Sequence, residues 1–149
     1  MAGAHNRVAV MHGVNLDTLG RRDPAVYGEE TLNQFEFRIH EWARELDLEA
    51  AFFQTNHEGE FCEYLHRVPE TADSVLINAG AWTHYSWAIR DALEVAGKPA
   101  VEVHISDIAT REDWRAVSVF DGLVAAKISG KGREGYREGL EVLKRELGL

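Results

Sequence analysis

The segment V-L-I-N-A-G-A-W-T-H-Y-S at residues 75–86 decides the fold prediction. It begins as a short apolar run, typical of a buried parallel strand, and changes to small and polar residues before a helical pattern begins at Ser86. In an open α/β sheet, ligands bind at the carboxyl ends of the strands, where loops aim side chains from a rigid support. We therefore predict that Asn78 and His84 lie in a functional cleft.

A second segment, A-V-E-V-H-I-S at residues 100–106, repeats this pattern. Its apolar residues lead to Glu102, His104 and Ser106 at the predicted strand end. Side chains alternate along a strand, so Glu102 and His104 share one face, and a buried glutamate without a partner is energetically costly. We interpret Glu102 as a carboxylate that lies behind the site and orients and charges it. Both polar strand ends would then face one cleft.

Strands alternate with helices along the whole sequence. A capping box at Thr31 and Gln34 begins the first long helix, Pro69 is expected to stop the second, and Gly97 and Pro99 close the third. Residues 106–118 are predicted to be a loop with one short helix. The predicted strands are residues 7–12, 48–55, a run beginning at 75, 100–104 and 122–128, and the predicted helices are residues 31–46, a segment ending near 68, 86–95 and 136–147.

This alternation predicts an α/β fold with a five-stranded parallel sheet, helices on both faces and right-handed crossovers. The most economical arrangement is a flavodoxin-like three-layer sandwich with strand order 2-1-3-4-5. A chain of 149 residues without a linker or repeat is expected to form one domain over residues 1–149.

Composition excludes several classes of protein. Hydrophobic residues make up 45% of the chain and charged residues 28%, and no segment approaches the roughly 20 apolar residues of a membrane span. The N-terminal residues lack the apolar core of a signal peptide, so a cytoplasmic location is expected. Cys62 is the only cysteine, which excludes an internal disulfide and a thiolate cluster for zinc.

The formal net charge of -9 argues against nucleic acid as a partner. A small anionic ligand is still compatible with it, provided that arginines gather locally against the overall field. Arginines occur close together at two positions in the sequence. One pair is Arg21 and Arg22; the other is Arg111 and Arg115, which could clamp a carboxylate or pair with the acidic residues between them.

Residues 13–30 form a predicted long loop, and loops of that length in a compact domain are usually functional, often as lids. The loop carries Arg22 and Tyr27. A tyrosine in a loop is most often a packing residue. Beside an arginine, however, its phenolate is favoured, and a phenolate can act as a base near neutral pH.

Three histidines follow neighbouring strands of the proposed order: His12, His84 and His104. We expect them to converge, which favours a functional site without defining its chemistry. Together with Glu102 they leave open a divalent metal site in a hydrolase. The sequence has no P-loop and no G-x-S-x-G motif, and the glycines of residues 130–135 do not form a dinucleotide fingerprint.

Five segments occur in order along nearly the whole chain. They are G-V-N-L-D-T-L-G-R-R-D-P-A-V-Y-G at residues 13–28, Q-T-N-H-E-G-E at 54–60, N-A-G-A-W-T-H-Y-S-W-A at 78–88, E-V-H-I-S at 102–106 and R-E-D-W-R at 111–115. In this order and spacing they resemble the successive signatures of the type II 3-dehydroquinate dehydratases.

The resemblance implies a dehydratase that converts 3-dehydroquinate to 3-dehydroshikimate by anti elimination through an enolate, without a metal or an organic cofactor. Tyr27 would be the base, as a phenolate favoured by Arg22, and Asn15 would hold the water that stabilises the enolate. His104 would be the general acid, with Glu102 behind it. The substrate's carboxylate and hydroxyls would be bound by Asn78, His84, the backbone amides of Ile105 and Ser106, and Arg115.

The resemblance also implies a dodecamer of trimers, in which neighbouring subunits complete the active sites. The chain departs from the family pattern at His12, Val14 and Asp107, and Trp82, Tyr85 and Trp87 give the predicted cleft-side turn an aromatic character. These departures favour, as an alternative, the same elimination on another polyhydroxylated ring acid. A non-catalytic module that binds an acidic metabolite is a further alternative.

Overall fold

The computed structural model describes residues 4–149, in which five strands alternate with helices. No helix within that range is both long and apolar enough to cross a membrane. The strands are β1 (Arg7–His12), β2 (Glu49–Gln54), β3 (Ser74–Asn78), β4 (Ala100–His104) and β5 (Ala126–Ser129). The helices are α1 (Pro24–Tyr27), α2 (Leu32–Glu45), α3 (Glu58–Thr71), α4 (Trp87–Ala96) and α5 (Glu134–Glu146).

All strand pairs are parallel, and the sheet has the order β2-β1-β3-β4-β5, which confirms the predicted topology. The register brings the strand ends level with one another. His12 at the end of β1 pairs with Gln54 of β2 and Asn78 of β3, and His104 of β4 pairs with Ser129 of β5. The carboxyl ends therefore form one edge at which the following loops meet.

Each face of the sheet has its own core, as the alternation of side chains along the strands requires. Val8 and Val10 of β1 belong to the core beneath α2 and α5, whereas Ala9 and Met11 belong to the core beneath α3 and α4. The predicted capping box begins α2, because Thr31 and Gln34 each accept a hydrogen bond from the other's backbone N–H. Helices thus cover both faces and leave the carboxyl edge free for a site.

Two glycines let the loops after β1 and β3 interlock. A Cβ on Gly13 would lie 2.3 Å from the carbonyl oxygen of Ala79, and a Cβ on Gly80 would lie 2.6 Å from the carbonyl oxygen of Val14. The N–H of Gly13 donates to the carbonyl of Asn78 at 2.7 Å. Because no side chain separates the two loops, their polar residues open into the same space.

Three local predictions were wrong. Pro69 lies inside α3, which continues to Thr71, because a proline in the last turn removes a single backbone hydrogen bond. The chain turns at residues 120–124, where Leu123 donates to the carbonyl of Phe120, so β5 begins only at residue 126. Residues 106–118 contain two separate 3₁₀ turns instead of the one short helix predicted, and Arg111 lies between them.

An ion pair at the opposite edge gives a prediction for the pH dependence of stability. Arg7 donates from Nε and Nη2 to the two oxygens of buried Asp73 at 3.1 and 3.2 Å, and these bonds lower the pKa of that carboxyl. A carboxyl whose pKa falls on folding adds stability above its unfolded pKa of about 3.9, and this stability is lost as the pH drops through the folded pKa.

Asp73→Asn is therefore expected to lower Tm at pH 7, and by progressively less as the pH falls below about 4. Thermal unfolding at pH 7 and at pH 3 measures the difference in Tm between the wild type and the variant at each pH. Equal differences at both pH values would contradict this assignment of Asp73.

Candidate active site

A pocket opens at the carboxyl edge of the sheet, between the loops after β1, β3 and β4. Of the ten site residues predicted from the sequence, all except Glu102 line it. Glu102 lies behind the pocket wall. The lining comprises Val14, Asn15, Leu16, Arg22, Tyr27, Asn78, Gly80, Ala81, His84, His104, Ile105, Ser106, Ile108, Arg111 and Arg115.

Tyr27 lies between two guanidinium groups. Its hydroxyl oxygen accepts hydrogen bonds from Nη2 of Arg22 at 2.9 Å and from Nη1 of Arg111 at 2.6 Å. The Cζ atoms of Arg22 and Arg111 lie 3.9 and 5.1 Å from the centre of the phenol ring, which is itself buried. Two charge-assisted donors on one oxygen stabilise negative charge there.

Helix α1 and its cap hold Tyr27 in this position. Asp23 caps the helix by accepting from the N–H of Ala25 at 3.0 Å, and Pro24 occupies the first turn, where its missing N–H is harmless. The predicted long loop of residues 13–30 therefore contains a 3₁₀ turn and a short helix. Val26 packs beside the core beneath α2 and α5, to which Tyr27 itself belongs.

His104 forms a buried pair with Glu102. Nε2 of His104 lies 2.5 Å from Oε2 of Glu102, whose other oxygen accepts a bond from Ser118 Oγ at 2.9 Å. Ser118 is itself held by the N–H of Phe120, which donates to its Oγ at 3.1 Å. Glu102 is thus a partnered carboxylate that orients the imidazole of His104.

Nδ1 of His84 lies 2.6 Å from the carbonyl oxygen of Val117. Because a carbonyl oxygen can only accept a hydrogen bond, Nδ1 is the nitrogen that carries the proton. Burial, opposed by that hydrogen bond, holds the pKa of His84 below its ordinary value, so the ring is neutral at pH 7. Its Nε2 is then an acceptor. The rings of His84 and His104 lie 6.2 Å apart, so two imidazoles flank one region of the pocket.

Asn78 is fixed at both ends of its amide. Its Oδ1 accepts from the N–H of Gly80 at 3.1 Å, and its Nδ2 donates to the hydroxyl of Tyr136 at 3.1 Å. Burial raises the pKa of Tyr136 to about 12, so this phenol stays neutral. The remaining N–H and lone pair of Asn78 can serve a polar ligand.

Three arginines, Arg22, Arg111 and Arg115, give the pocket a local positive field within an acidic chain. Nε of Arg115 pairs with Oε2 of Glu112 at 2.5 Å, so Arg115 does form the pair with a neighbouring acidic residue that the sequence offered as one possibility. Its guanidinium still lines the pocket and can donate to an anion there. Arg111 also donates to Oγ of Ser106 at 3.2 Å.

The expected convergence of three histidines was wrong, because His12 does not line the pocket. Its ring is fully buried and stacks on Phe52. The Nε2 atom of His12 lies 3.2 Å from Oε2 of Glu36. His12 lies two residues beyond Val10 and so faces the same core as that residue. Neither of its ring nitrogens forms a hydrogen bond within the described chain.

Four other residues that the sequence placed near the cleft also lie outside the pocket. Asp107 caps the 3₁₀ turn after it by accepting from the N–H of Ala109, and it lines an adjoining cavity of about 480 Å³. Among the aromatic residues, Trp82 packs in the core beneath α3 and α4, while Tyr85 and Trp87 are exposed at the surface. None of these three aromatic residues therefore belongs to the pocket lining.

The metal-site alternative has no geometric support. Residues 4–149 contain no group of three or more His, Cys, Asp or Glu side chains that could hold a metal ion. Glu102, which would be one ligand, is occupied by His104 and Ser118.

Sequence reasoning missed three contacts of the site. The bond from Arg111 to Tyr27 joins residues 84 positions apart, and no local pattern indicates it. Ser118 and Tyr136 act behind the lining, on Glu102 and Asn78. The one available signal was Arg111, the first arginine of R-E-D-W-R, which could have been considered as a partner of Tyr27 as well as of a carboxylate.

Comparison with known proteins identifies related chains. A family model described as Dehydroquinase class II matches residues 6–144. A 3-dehydroquinate dehydratase from Syntrophotalea carbinolica is 51% identical over 135 residues, which cover 90% of this chain and 91% of the relative. One from Halothermothrix orenii is 46% identical, with 93% of each chain covered. The crystal structure of a type II dehydroquinase from Butyrivibrio crossotus superposes with a TM-score of 0.91 at 36% identity, over 95% of this chain and 99% of that chain.

Proposed function

The chain belongs to the class II dehydroquinase family, a family of hydro-lyases, and on this premise we propose that Tyr27 and His104 divide the dehydration of 3-dehydroquinate between them. Tyr27 removes the proton alpha to the ring ketone, and His104 protonates the departing hydroxyl. One observation carries the proposal: two guanidinium groups donate to the hydroxyl oxygen of Tyr27 inside an arginine-lined pocket.

The first step requires a weakly acidic base held as its anion. Arg22 and Arg111 would favour that anion, because both donate hydrogen bonds to the oxygen of the buried Tyr27 side chain. A carbon acid alpha to a ketone loses its proton readily only if the resulting enolate is stabilised as it forms. Asn15, whose side chain lines the pocket, would bind the water that donates to the enolate oxygen.

The second step requires a separate acid. The carboxylate of Glu102 holds His104 through Nε2, which leaves Nδ1 as the nitrogen that would pass a proton to the leaving hydroxyl. Elimination then breaks the C–O bond, forms the C=C bond from the enolate electrons and releases water. Ser118 completes the arrangement by holding the second oxygen of Glu102.

Substrate binding follows from the remaining lining. Arg115 can pair with the substrate's carboxylate, and neutral His84 can accept a hydrogen bond from a ring hydroxyl. Asn78, Ser106 and the backbone at Ile105 contribute further polar contacts. The alternative of another ring acid is weakened, because His12 and Asp107, two of the departures that suggested it, lie outside the pocket.

Arg22→Gln and Arg111→Gln are each expected to lower kcat by about 10- to 100-fold, since each removes one charge-assisted donor from the Tyr27 oxygen. Arg21→Gln provides a matched control, because Arg21 is the adjacent arginine and does not line the pocket. Initial rates with 3-dehydroquinate measure all three variants. If both pocket variants keep the rate of the Arg21 variant, the guanidinium groups do not activate Tyr27.

A further inference from the structure

The segment Q-T-N-H-E-G-E after β2 has no part in the proposed reaction, yet its Asn56 contacts the loop that carries Asn15. Oδ1 of Asn56 accepts the backbone N–H of Asn15 at 2.8 Å, and Nδ2 donates to Oδ2 of Asp17 at 3.0 Å. Nε2 of Gln54 donates both to Oδ1 of Asn56 and to the carbonyl of Gly13, each at 3.2 Å. These bonds join the loops after β1 and β2 beside the pocket.

Asn15 needs such support because its backbone is left-handed, with φ 68° and ψ 2°. Among residues with a Cβ, asparagine is one of the few that adopt this conformation, and neighbouring groups hold it here. The carbonyl of Asn15 accepts from Thr18 Oγ1 at 2.6 Å, and its N–H is held by Asn56. Within residues 4–149 its side-chain amide forms no hydrogen bond, so the backbone, which fixes the Cα–Cβ direction, is the part of Asn15 that its neighbours hold.

We infer that Asn56 is a positioning residue for the reaction, which acts by holding the left-handed backbone of Asn15. The inference rests on the proposed role of Asn15 in binding the water that stabilises the enolate. Chemistry determines which way the Asn56 amide points: the N–H of Asn15 requires an acceptor oxygen, and the carboxylate of Asp17 requires a donor. Both requirements are met by one orientation of the amide.

Asn56→Ala is expected to lower kcat about 10- to 100-fold, because a small displacement of a catalytic group has effects of that order. KM is expected to stay within a few-fold of the wild-type value, because the enolate charge develops after substrate binding. Asn6→Ala is the matched control. Nδ2 of Asn6 donates to the carbonyl of Asp47 at 2.8 Å, so it also links the chain of β1 to that of β2, at the opposite end of both strands.

A double-mutant cycle separates positioning from a general structural role. If Asn56 acts through Asn15, the Asn15→Ala/Asn56→Ala double variant is no slower than Asn15→Ala alone. Swapping the residue types at positions 56 and 17, whose side chains form the bridging hydrogen bond, provides a second test. Asn56→Asp places two carboxylates together and should be slow, whereas Asn56→Asp with Asp17→Asn restores both the acceptor for Asn15 and the bridging bond, and should recover most of kcat.

The outcomes distinguish this inference from the proposed function. If Asn15→Ala is slow but Asn56→Ala matches the Asn6 control, or if the losses in the double variant multiply, Asn56 does not act through Asn15 and the inference alone fails. If Asn15→Ala itself keeps the wild-type kcat, the proposed role of Asn15 fails and the inference fails with it. The inference is supported if Asn15→Ala and Asn56→Ala are both slow, the Asn6 control is not, the double variant is no slower than Asn15→Ala, and the exchanged pair recovers most of kcat.

Discussion

Tyr27→Phe is expected to lower kcat about 10⁴-fold, the upper end of the usual contribution of general base catalysis. The substitution removes one oxygen atom and keeps the ring, which packs within the core beneath α2 and α5. Arg22 and Arg111 then have no oxygen to stabilise, and no other side chain in the pocket is held in the same way. Binding should change little, because the loss concerns the step that removes the proton.

Appearance of the enone absorbance of the product measures this variant against the wild type. Tyr85→Phe is the matched control, since Tyr85 is 59% exposed and does not line the pocket. If Tyr27→Phe turned over at a rate close to that of the Tyr85 variant, proton removal would have to be assigned to another group.

His104→Gln is expected to lower kcat about 10³-fold, because the leaving hydroxyl loses its proton donor. Glutamine can still hydrogen-bond to Glu102, so the buried carboxylate is not left without a partner. Proton removal by Tyr27 does not depend on His104. The variant should therefore form the enolate and return it to substrate more often than it completes the elimination.

His40→Gln, on the exposed face of α2, controls for the loss of a histidine elsewhere in the chain. A variant at His104 with the kcat of this control would show that the hydroxyl leaves without help from His104. The assignment of the general acid would then be withdrawn, while that of Tyr27 would stand.

The sequence could predict the fold because each part of the signal is local. Apolar runs of strand length, the capping box at Thr31 and the glycine after α4 depend on neighbouring residues, and together they imply the observed strand order. The beginning of β5 was predicted too early in the chain, because the apolar residues before Ala126 form a turn next to buried Phe120. Periodicity does not distinguish such a turn from a short buried strand.

The residues that line the pocket could be predicted from their positions at strand ends and within the family signatures. Contacts between side chains that meet only after folding could not, and the bond between Arg111 and Tyr27 is the main example. Alternation does not predict the position of His12 either, because Asn78, its register partner on the same face of the sheet, lines the pocket while His12 does not. The single domain and the dodecameric assembly stay predictions.

Exchange of the substrate's alpha proton in D₂O tests the central claim most directly. Nuclear magnetic resonance can follow both deuterium incorporation into 3-dehydroquinate and formation of the enone, for the wild type, Tyr27→Phe and His104→Gln. The account predicts that His104→Gln incorporates deuterium faster than it forms product, because the enolate forms and is reprotonated, and that Tyr27→Phe does neither. Deuterium incorporation by Tyr27→Phe at the rate of His104→Gln would contradict the division of the reaction between a tyrosine base and a histidine acid.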